Sequence, residues 1–164
     1  MKLCQLRKPW FEYLFAAHVS MRLCWFPILL RFCTLPKLLE QLRPRERQRG
    51  RKSRPTLDRA VQIIVRVCHL RPFRGLLFPR TCLRQALVLY DMLMYLGYSV
   101  TIHFGILKMG EELRGHSWVT LEGKPVAERE DPGACHHVVY SYPPSHLGPA
   151  QKVTEVFGPN AKLF

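Results

Sequence analysis

The segment from Cys82 to Leu96 constrains the fold more than any other part of this sequence. Apolar side chains cover most of its helical circumference, which predicts a helix that is buried on nearly all sides. Thr81 is suited to cap its first turn, and Gly97 can adopt the left-handed backbone conformation that often follows the end of a helix. Such a helix needs other elements to cover it, so we expect the rest of the domain to fold around it.

Alternating apolar residues after this helix predict antiparallel strands. Ser99–Leu107 places an apolar side chain at every second position, which is typical of a strand with one buried face. Further strands are expected at His116–Thr120, from Lys124 to about Glu130, and at Val138–Tyr142. A buried helix followed by antiparallel strands predicts an α+β fold, with the helix packed on the sheet.

The charge of the chain is strongly positive and partly concentrated in one segment. Lys and Arg number 25 against 12 Asp and Glu, a net charge of +13, and residues 43–54 hold seven basic residues and one acid. We expect an N-terminal helical segment over residues 1–55, which ends in an exposed basic linker over 43–55. A compact domain is expected over residues 56–164, and Thr56 can cap its first helix. Such a charge attracts an acidic peptide, nucleic acid or anionic lipid, so a non-enzymatic binding module remains one alternative.

The cysteines and the N-terminal segment bear on the cellular compartment. None of the six cysteines has C-x-x-C spacing, and the chain is long enough to fold without disulfides, so a reducing cytoplasm is expected. The longest apolar run, 23–30, is interrupted by Pro27 and is too short to span a bilayer. Aromatic residues near Arg22 and Arg31 are expected to pack on the core, while membrane contact is the less favoured alternative.

One set of residues could perform nucleophilic catalysis. Cys82 begins the buried helix, and helix N-termini favour the thiolate, which is the nucleophilic form of cysteine. His116 could act as its base if an acid accepts the proton on Nδ1 and so fixes the tautomer. A three-residue loop at 121–123 would pair His116 with Glu128, and Trp118 with Val126, whereas a two-residue loop would place the first pair on opposite faces.

The third member of this set stays open at this point. An ordinary cross-strand ion pair is an alternative role for Glu128, and Glu130 and Asp131 compete for the same position. Cys135-His136-His137 could bind a metal, but adjacent residues of a strand point to opposite faces, so neither a metal nor a cofactor is expected.

The motifs around these residues resemble a known enzyme family. The segments Cys82-Leu-Arg-Gln-Ala-Leu, Phe104-Gly-Ile and Gly115-His-Ser-Trp-Val resemble the leader peptidases, or B proteins, of lasso peptide biosynthesis, in the transglutaminase-like, papain-related superfamily. In that family a Cys-Leu-x-Arg-(Ser/Ala)-Leu helix start and a glycine-containing strand precede His-Ala-Trp-Val, and an acid follows the His by some twelve positions. Gln85 departs from this pattern, and Glu128 stands where Asp is usual.

The resemblance implies a fold, an activity and partners. It implies a transglutaminase-like (papain-like) core in which Cys82 is the nucleophile, His116 the base and Glu128 the acid of a cysteine peptidase. Its substrate would be a lasso precursor peptide, and its product would pass to an ATP-using cyclase that is similar to asparagine synthetase. Because no leader-binding domain fits before residue 56, we expect a separate small leader-binding protein and no nucleic-acid partner. An acyl transferase of the transglutaminase type remains an alternative, since an amine can replace water as the acceptor.

Overall fold

The chain folds into an α+β protein, as the sequence predicts. The structure is a computed structural model that describes residues 8–42, 55–70, 82–110 and 112–143. The described helices are α1 (Lys8–Phe32), α2 (Leu35–Gln41), α3 (Leu57–Cys68) and α4 (Cys82–Leu96), and the described strands are β1 (Val100–Met109), β2 (Glu112–Leu121), β3 (Lys124–Val126) and β4 (His137–Tyr142). The chain divides into two compact units, one ending at Ser99 and the other beginning at Val100. Residues 43–54 of the predicted linker 43–55 and the predicted cap Thr81 lie outside the described residues. The predicted division at residue 55 stays a prediction.

The first unit is helical, and α4 is its most buried element. Buried residues of α4 include the apolar side chains on nearly all sides of the helix and two charged ones, Arg84 and Asp91. Gly97 follows the helix at a φ of 89°, as expected. The Tyr98 N–H donates to the Leu93 carbonyl and the Gly97 N–H to the Met94 carbonyl, which is the Schellman arrangement at a helix end.

Helix α1 corrects one expectation about the N-terminal segment. Pro27 lies inside α1 and does not end it, so the helix continues over 25 residues. A proline inside a helix removes one backbone hydrogen bond and crowds the carbonyl four residues earlier. Phe15, Val19 and Leu23 are buried, and this packing favours a continuous helix despite that cost. By length and composition alone, Trp10–Phe32 could cross a membrane, with a mean hydropathy of 1.4 over its most apolar window. The apolar run 23–30, which is by itself too short to span a bilayer, is only part of this helix.

The second unit contains a four-stranded sheet in the order β3-β2-β1-β4, with all neighbours antiparallel. The register of β1 and β2 pairs His103 with Trp118 and Gly105 with His116. A bulge interrupts the β1–β4 pairing between Phe104 and Gly105. Strand β2 begins at Glu112, earlier than predicted, because its exposed first residues do not show the alternation from which strands are predicted.

The turn between β2 and β3 is one residue shorter than predicted. Leu121 pairs with Lys124 and Val119 with Val126, so the loop has two residues, Glu122 and Gly123. Their φ angles are 51° and 80°, as a type I′ hairpin turn requires. The predicted three-residue loop and the Trp118–Val126 pair are therefore wrong. Strand β3 ends at Val126, well before the predicted Glu130.

Candidate active site

The structure brings His116 and Glu128 together despite the shorter turn. His116 Nε2 lies 3.4 Å from Glu128 Oε1, and both side chains are about a quarter exposed. Continued alternation beyond Val126 would point Glu128 away from the imidazole. Ala127 ends that alternation with a φ of 65°, and the carboxylate returns to the face of His116. The expected contact to Nδ1 is wrong, because the carboxylate faces Nε2.

Two aromatic rings pack around the His116 imidazole. The Trp118 ring is stacked on it at a centroid distance of 5.9 Å, and the His136 ring lies 5.3 Å away. The Trp118 and His136 rings are themselves 6.0 Å apart. His116 therefore lies in a three-ring cluster, and this packing restricts the orientations open to its imidazole.

His136 is a site residue that the sequence analysis missed. It was considered only as a metal ligand, and nothing in the local pattern shows that it approaches His116. His136 Nδ1 lies 3.1 Å from the Pro132 carbonyl, which can only accept, so Nδ1 carries a proton. The short 3-10 helix Pro132–Ala134 places this carbonyl, and Asp131 stabilises that helix by accepting the Gly133 N–H at 2.9 Å. Asp131 is therefore used as a cap, whereas Glu128 contacts His116.

Gly105 makes room for the three-ring cluster. It lies opposite His116 in the sheet, and a Cβ there would lie 2.8 Å from Trp118 Cη2 and 3.0 Å from His136 Cβ. Contacts under 3.0 Å are not tolerated, so any larger residue would displace Trp118 or His136. Close packing of Trp118 and His136 thus explains why the Phe104-Gly105-Ile106 motif has a glycine at its centre.

His103 also packs against Trp118 and has a structural role. Its ring is stacked on Trp118 at 5.5 Å, and its two nitrogens lie 2.8 Å from Ser141 Oγ and Thr120 Oγ1. Burial lowers the pKa of His103, and the Asp131 carboxylate opposes this only in part. With both nitrogens engaged, His103 is a poor base for an external thiol.

Cys82 is the first residue of α4, and its side chain is half-buried. It belongs to the first unit, whereas His116 and Glu128 belong to the second.

Other cysteines offer a comparison with Cys82. Burial raises the pKa of the Cys68 thiol to about 11, and the Arg84 guanidinium opposes part of that rise. Cys24 and Cys135 are both on the surface, so solvent exposure by itself would favour their reactivity over that of Cys82. Among the described residues, no group of three His, Cys, Asp or Glu side chains could hold a metal ion.

Comparison with known proteins places the chain in a family. The model of the transglutaminase-like superfamily, which includes cysteine peptidases, matches residues 22–141, nearly three quarters of the chain. The match contains Cys82, His116, Glu128 and the three-ring cluster. No curated protein and no solved structure matches the chain. The chain therefore belongs to the transglutaminase-like superfamily.

Proposed function

We propose that this protein is a cysteine peptidase that removes the leader from a lasso peptide precursor. In this proposal Cys82 is the nucleophile, His116 the base and Glu128 the acid that orients the base. The observation that supports it best is the 3.4 Å contact between His116 Nε2 and Glu128 Oε1 in a chain whose superfamily includes cysteine peptidases. The position of Cys82 at the first residue of a helix adds to this support.

The first half of the reaction forms a thioester. The Cys82 sulfur attacks the carbonyl carbon of the last leader residue while His116 holds the thiol proton. Because Glu128 engages Nε2, Nδ1 is the His116 nitrogen that serves the thiol. The Cys82 backbone N–H, at the start of α4, is suited to stabilise the developing oxyanion. The C–N bond then breaks, and His116 donates its proton to the leaving amine.

The second half releases the leader. His116 takes a proton from water, and the hydroxide attacks the thioester carbon. The C–S bond breaks, the leader leaves as a carboxylic acid, and the sulfur regains its proton. The two products are the leader acid and a core peptide with a new α-amine.

The lasso assignment rests on the motifs at Cys82, Gly105 and His116 and extends to partners and location. In the proposal a separate small leader-binding protein presents the precursor, and a cyclase similar to asparagine synthetase consumes the new amine. Both reactions take place in the cytoplasm. Two weak contacts joined through a bound partner raise the effective substrate concentration, so the leader-binding protein should accelerate cleavage.

Acyl transfer is the second candidate, favoured by the superfamily itself. The same thioester could be captured by an amine in place of water. The chemistry at Cys82 and His116 would be unchanged up to that step. Only the acceptor, and hence the product mass, distinguishes the two candidates.

Product mass tests the proposal directly. The purified protein is incubated with precursor, with and without the leader-binding protein, and the products are weighed by mass spectrometry. Hydrolysis gives a leader fragment that carries the mass of added water, whereas transfer gives an amide. Cys82→Ala should abolish both products, and Cys135→Ala, at an exposed cysteine, should change neither. A stable complex with intact precursor in all samples would instead support a binding module.

A further inference from the structure

The outer face of α1 is apolar and exposed along nearly its whole length. Its exposed side chains recur at spacings of three, four and seven residues, which places them on one side of a helix. Each is between 46% and 80% exposed: Trp10, Tyr13, Leu14, Met21, Trp25, Ile28 and Phe32. The opposite face of α1 is buried through Phe15, Val19, Leu23 and Phe26. The helix is thus apolar on both sides, and the described residues of the first unit cover only one.

Charged residues are nearly absent from this outer face. Glu12 pairs with Arg59 of α3 at 2.8 Å, and Arg22 pairs with Asp91 of α4 at 3.2 Å. Among the side chains that the structure describes in α1, residues 10–32, only Arg31 is an exposed charge beside the apolar stripe. A continuous apolar surface of this kind on a charged protein marks a contact with a partner or a lipid surface.

Three features favour a lipid surface as the occupant. The stripe carries Trp10, Tyr13 and Trp25, whose amphipathic rings prefer the boundary between headgroups and acyl chains. The net charge of +13 complements an anionic leaflet. The apolar stretch Trp10–Phe32 has the length and hydropathy of a membrane helix, yet only 22% of its most apolar window is buried, whereas a core helix would be mostly buried.

The attachment of α1 to the other helices argues against a membrane-spanning helix. Trp10–Phe32 has 23 residues, so it is about 34 Å long and by length alone could cross a bilayer. The inward packing and the two ion pairs hold α1 against α3 and α4, which is incompatible with a helix that spans a bilayer.

We infer that α1 is a peripheral membrane-binding helix that lies along the surface of an anionic bilayer, with its outer face among the headgroups. Association combines burial of the stripe with electrostatic attraction to anionic lipid. This inference does not depend on the proposed peptidase activity.

Vesicle flotation of the full-length protein tests it. Phosphatidylcholine vesicles are compared with vesicles that also contain phosphatidylglycerol, at low and high salt. The protein should float with the anionic vesicles, with a blue shift of its tryptophan emission. The double variant Trp25→Ser, Ile28→Ser should lower partitioning at least tenfold, and Trp10→Ser alone should lower it less. Leu113→Ser removes an equally exposed apolar side chain from β2 and should have no effect.

Several results would overturn the inference. Absence of flotation with anionic vesicles is one, and binding that the double variant leaves unchanged, as charge alone would give, is another. An equal loss in Leu113→Ser would show a non-specific effect. A dimer detected by light scattering that the double variant abolishes would assign the stripe to a second copy of the chain. Circular dichroism confirms that each variant is folded; if the double variant is not, Trp10→Ser carries the same comparison.

Discussion

At the scale of single residues, His116 is the centre of the candidate site. The carboxylate of Glu128 faces Nε2, so the neutral tautomer with a proton on Nε2 leaves the lone pair on Nδ1. The sequence predicted the partner of His116 but the wrong nitrogen. Motif spacing fixes which residues are near one another, whereas the ring orientation depends on the packing of Trp118 and His136, which no local pattern reveals.

Glu128→Gln tests the orienting carboxylate. An amide can still reach Nε2 but does not stabilise an imidazolium, so turnover should fall by roughly 10²–10⁴-fold, less than in Cys82→Ala. Steady-state cleavage of the precursor measures this. Glu130→Gln, at an exposed carboxylate two residues away, is the matched control and should keep nearly full activity, as should Asp131→Asn. Equal losses in Glu128→Gln and Glu130→Gln would contradict the assignment.

His136 variants test the three-ring cluster. His136→Ala removes a ring 5.3 Å from the imidazole and should lower kcat by about fivefold with little change in KM, since an aromatic pair contributes about 1 kcal/mol. His136→Phe restores a ring without nitrogens and should recover most of the activity. His137→Ala changes the exposed neighbour and serves as the control. If His136→Phe were as impaired as His136→Ala, packing would not be the role of this residue.

At the scale of elements, two errors in the prediction of the β2–β3 hairpin offset each other: the length of its turn and the regularity of the chain after Val126. A three-residue loop at 121–123 was expected, but Glu122 and Gly123 both adopt a positive φ and form a two-residue turn, although a positive φ is uncommon for a residue other than glycine. The resulting shift of one residue would separate His116 from Glu128. Ala127 adopts a positive φ as well, at 65°, and removes the shift. Neither backbone angle is encoded by a residue type that favours it, so the correct partner was predicted from an incorrect register.

Helices were predictable where their signals are local. For α4, the apolar circumference and Gly97 define the element without reference to the rest of the chain. For α1, Pro27 is a local signal of interruption that tertiary packing overrides. The exposure of the outer face of α1 was likewise not predictable, because aromatic residues near arginines are compatible with a packed helix and with a surface helix.

Burial of the Asp91 carboxyl, at the contact between α4 and α1, should make stability depend on pH. Burial raises the pKa of Asp91 to about 6 from 3.8, and Arg22 opposes this only in part. The folded state therefore binds this proton more tightly than the unfolded state does. The contribution of this proton to the free energy of unfolding is complete below pH 4 and is lost as the pH rises through 6. The contribution amounts to about 3 kcal/mol.

Urea unfolding of Asp91→Asn between pH 4 and pH 8 tests this dependence. The variant cannot lose a proton at this position, so its free energy of unfolding should vary less across this range than that of the wild type. Glu40→Gln removes an exposed carboxylate of α2 and should leave the wild-type dependence intact. Parallel curves for the wild type and Asp91→Asn would show that Asp91 does not titrate in this range.

At the scale of the whole molecule, the family match covers elements of both compact units. It extends from residue 22, inside α1, to residue 141, inside β4. The predicted buried helix and the alternating strands after it indicated the α+β class, and the motifs singled out Cys82, His116 and Glu128. The sequence could not show that His136, between the 3-10 helix and β4, packs against His116, because that contact links residues that are distant along the chain.

The central claim is that the Cys82 sulfur forms a thioester with the leader. Rapid quenching of the wild-type protein with precursor and leader-binding protein, followed by intact-mass measurement and peptide mapping, tests this most directly. We predict a transient adduct with the mass of the leader acyl group on the Cys82 peptide, none on the exposed Cys24 or Cys135, and no cleavage by Cys82→Ala. Cleavage by the wild type without an adduct on Cys82, or continued cleavage by Cys82→Ala, would contradict the account.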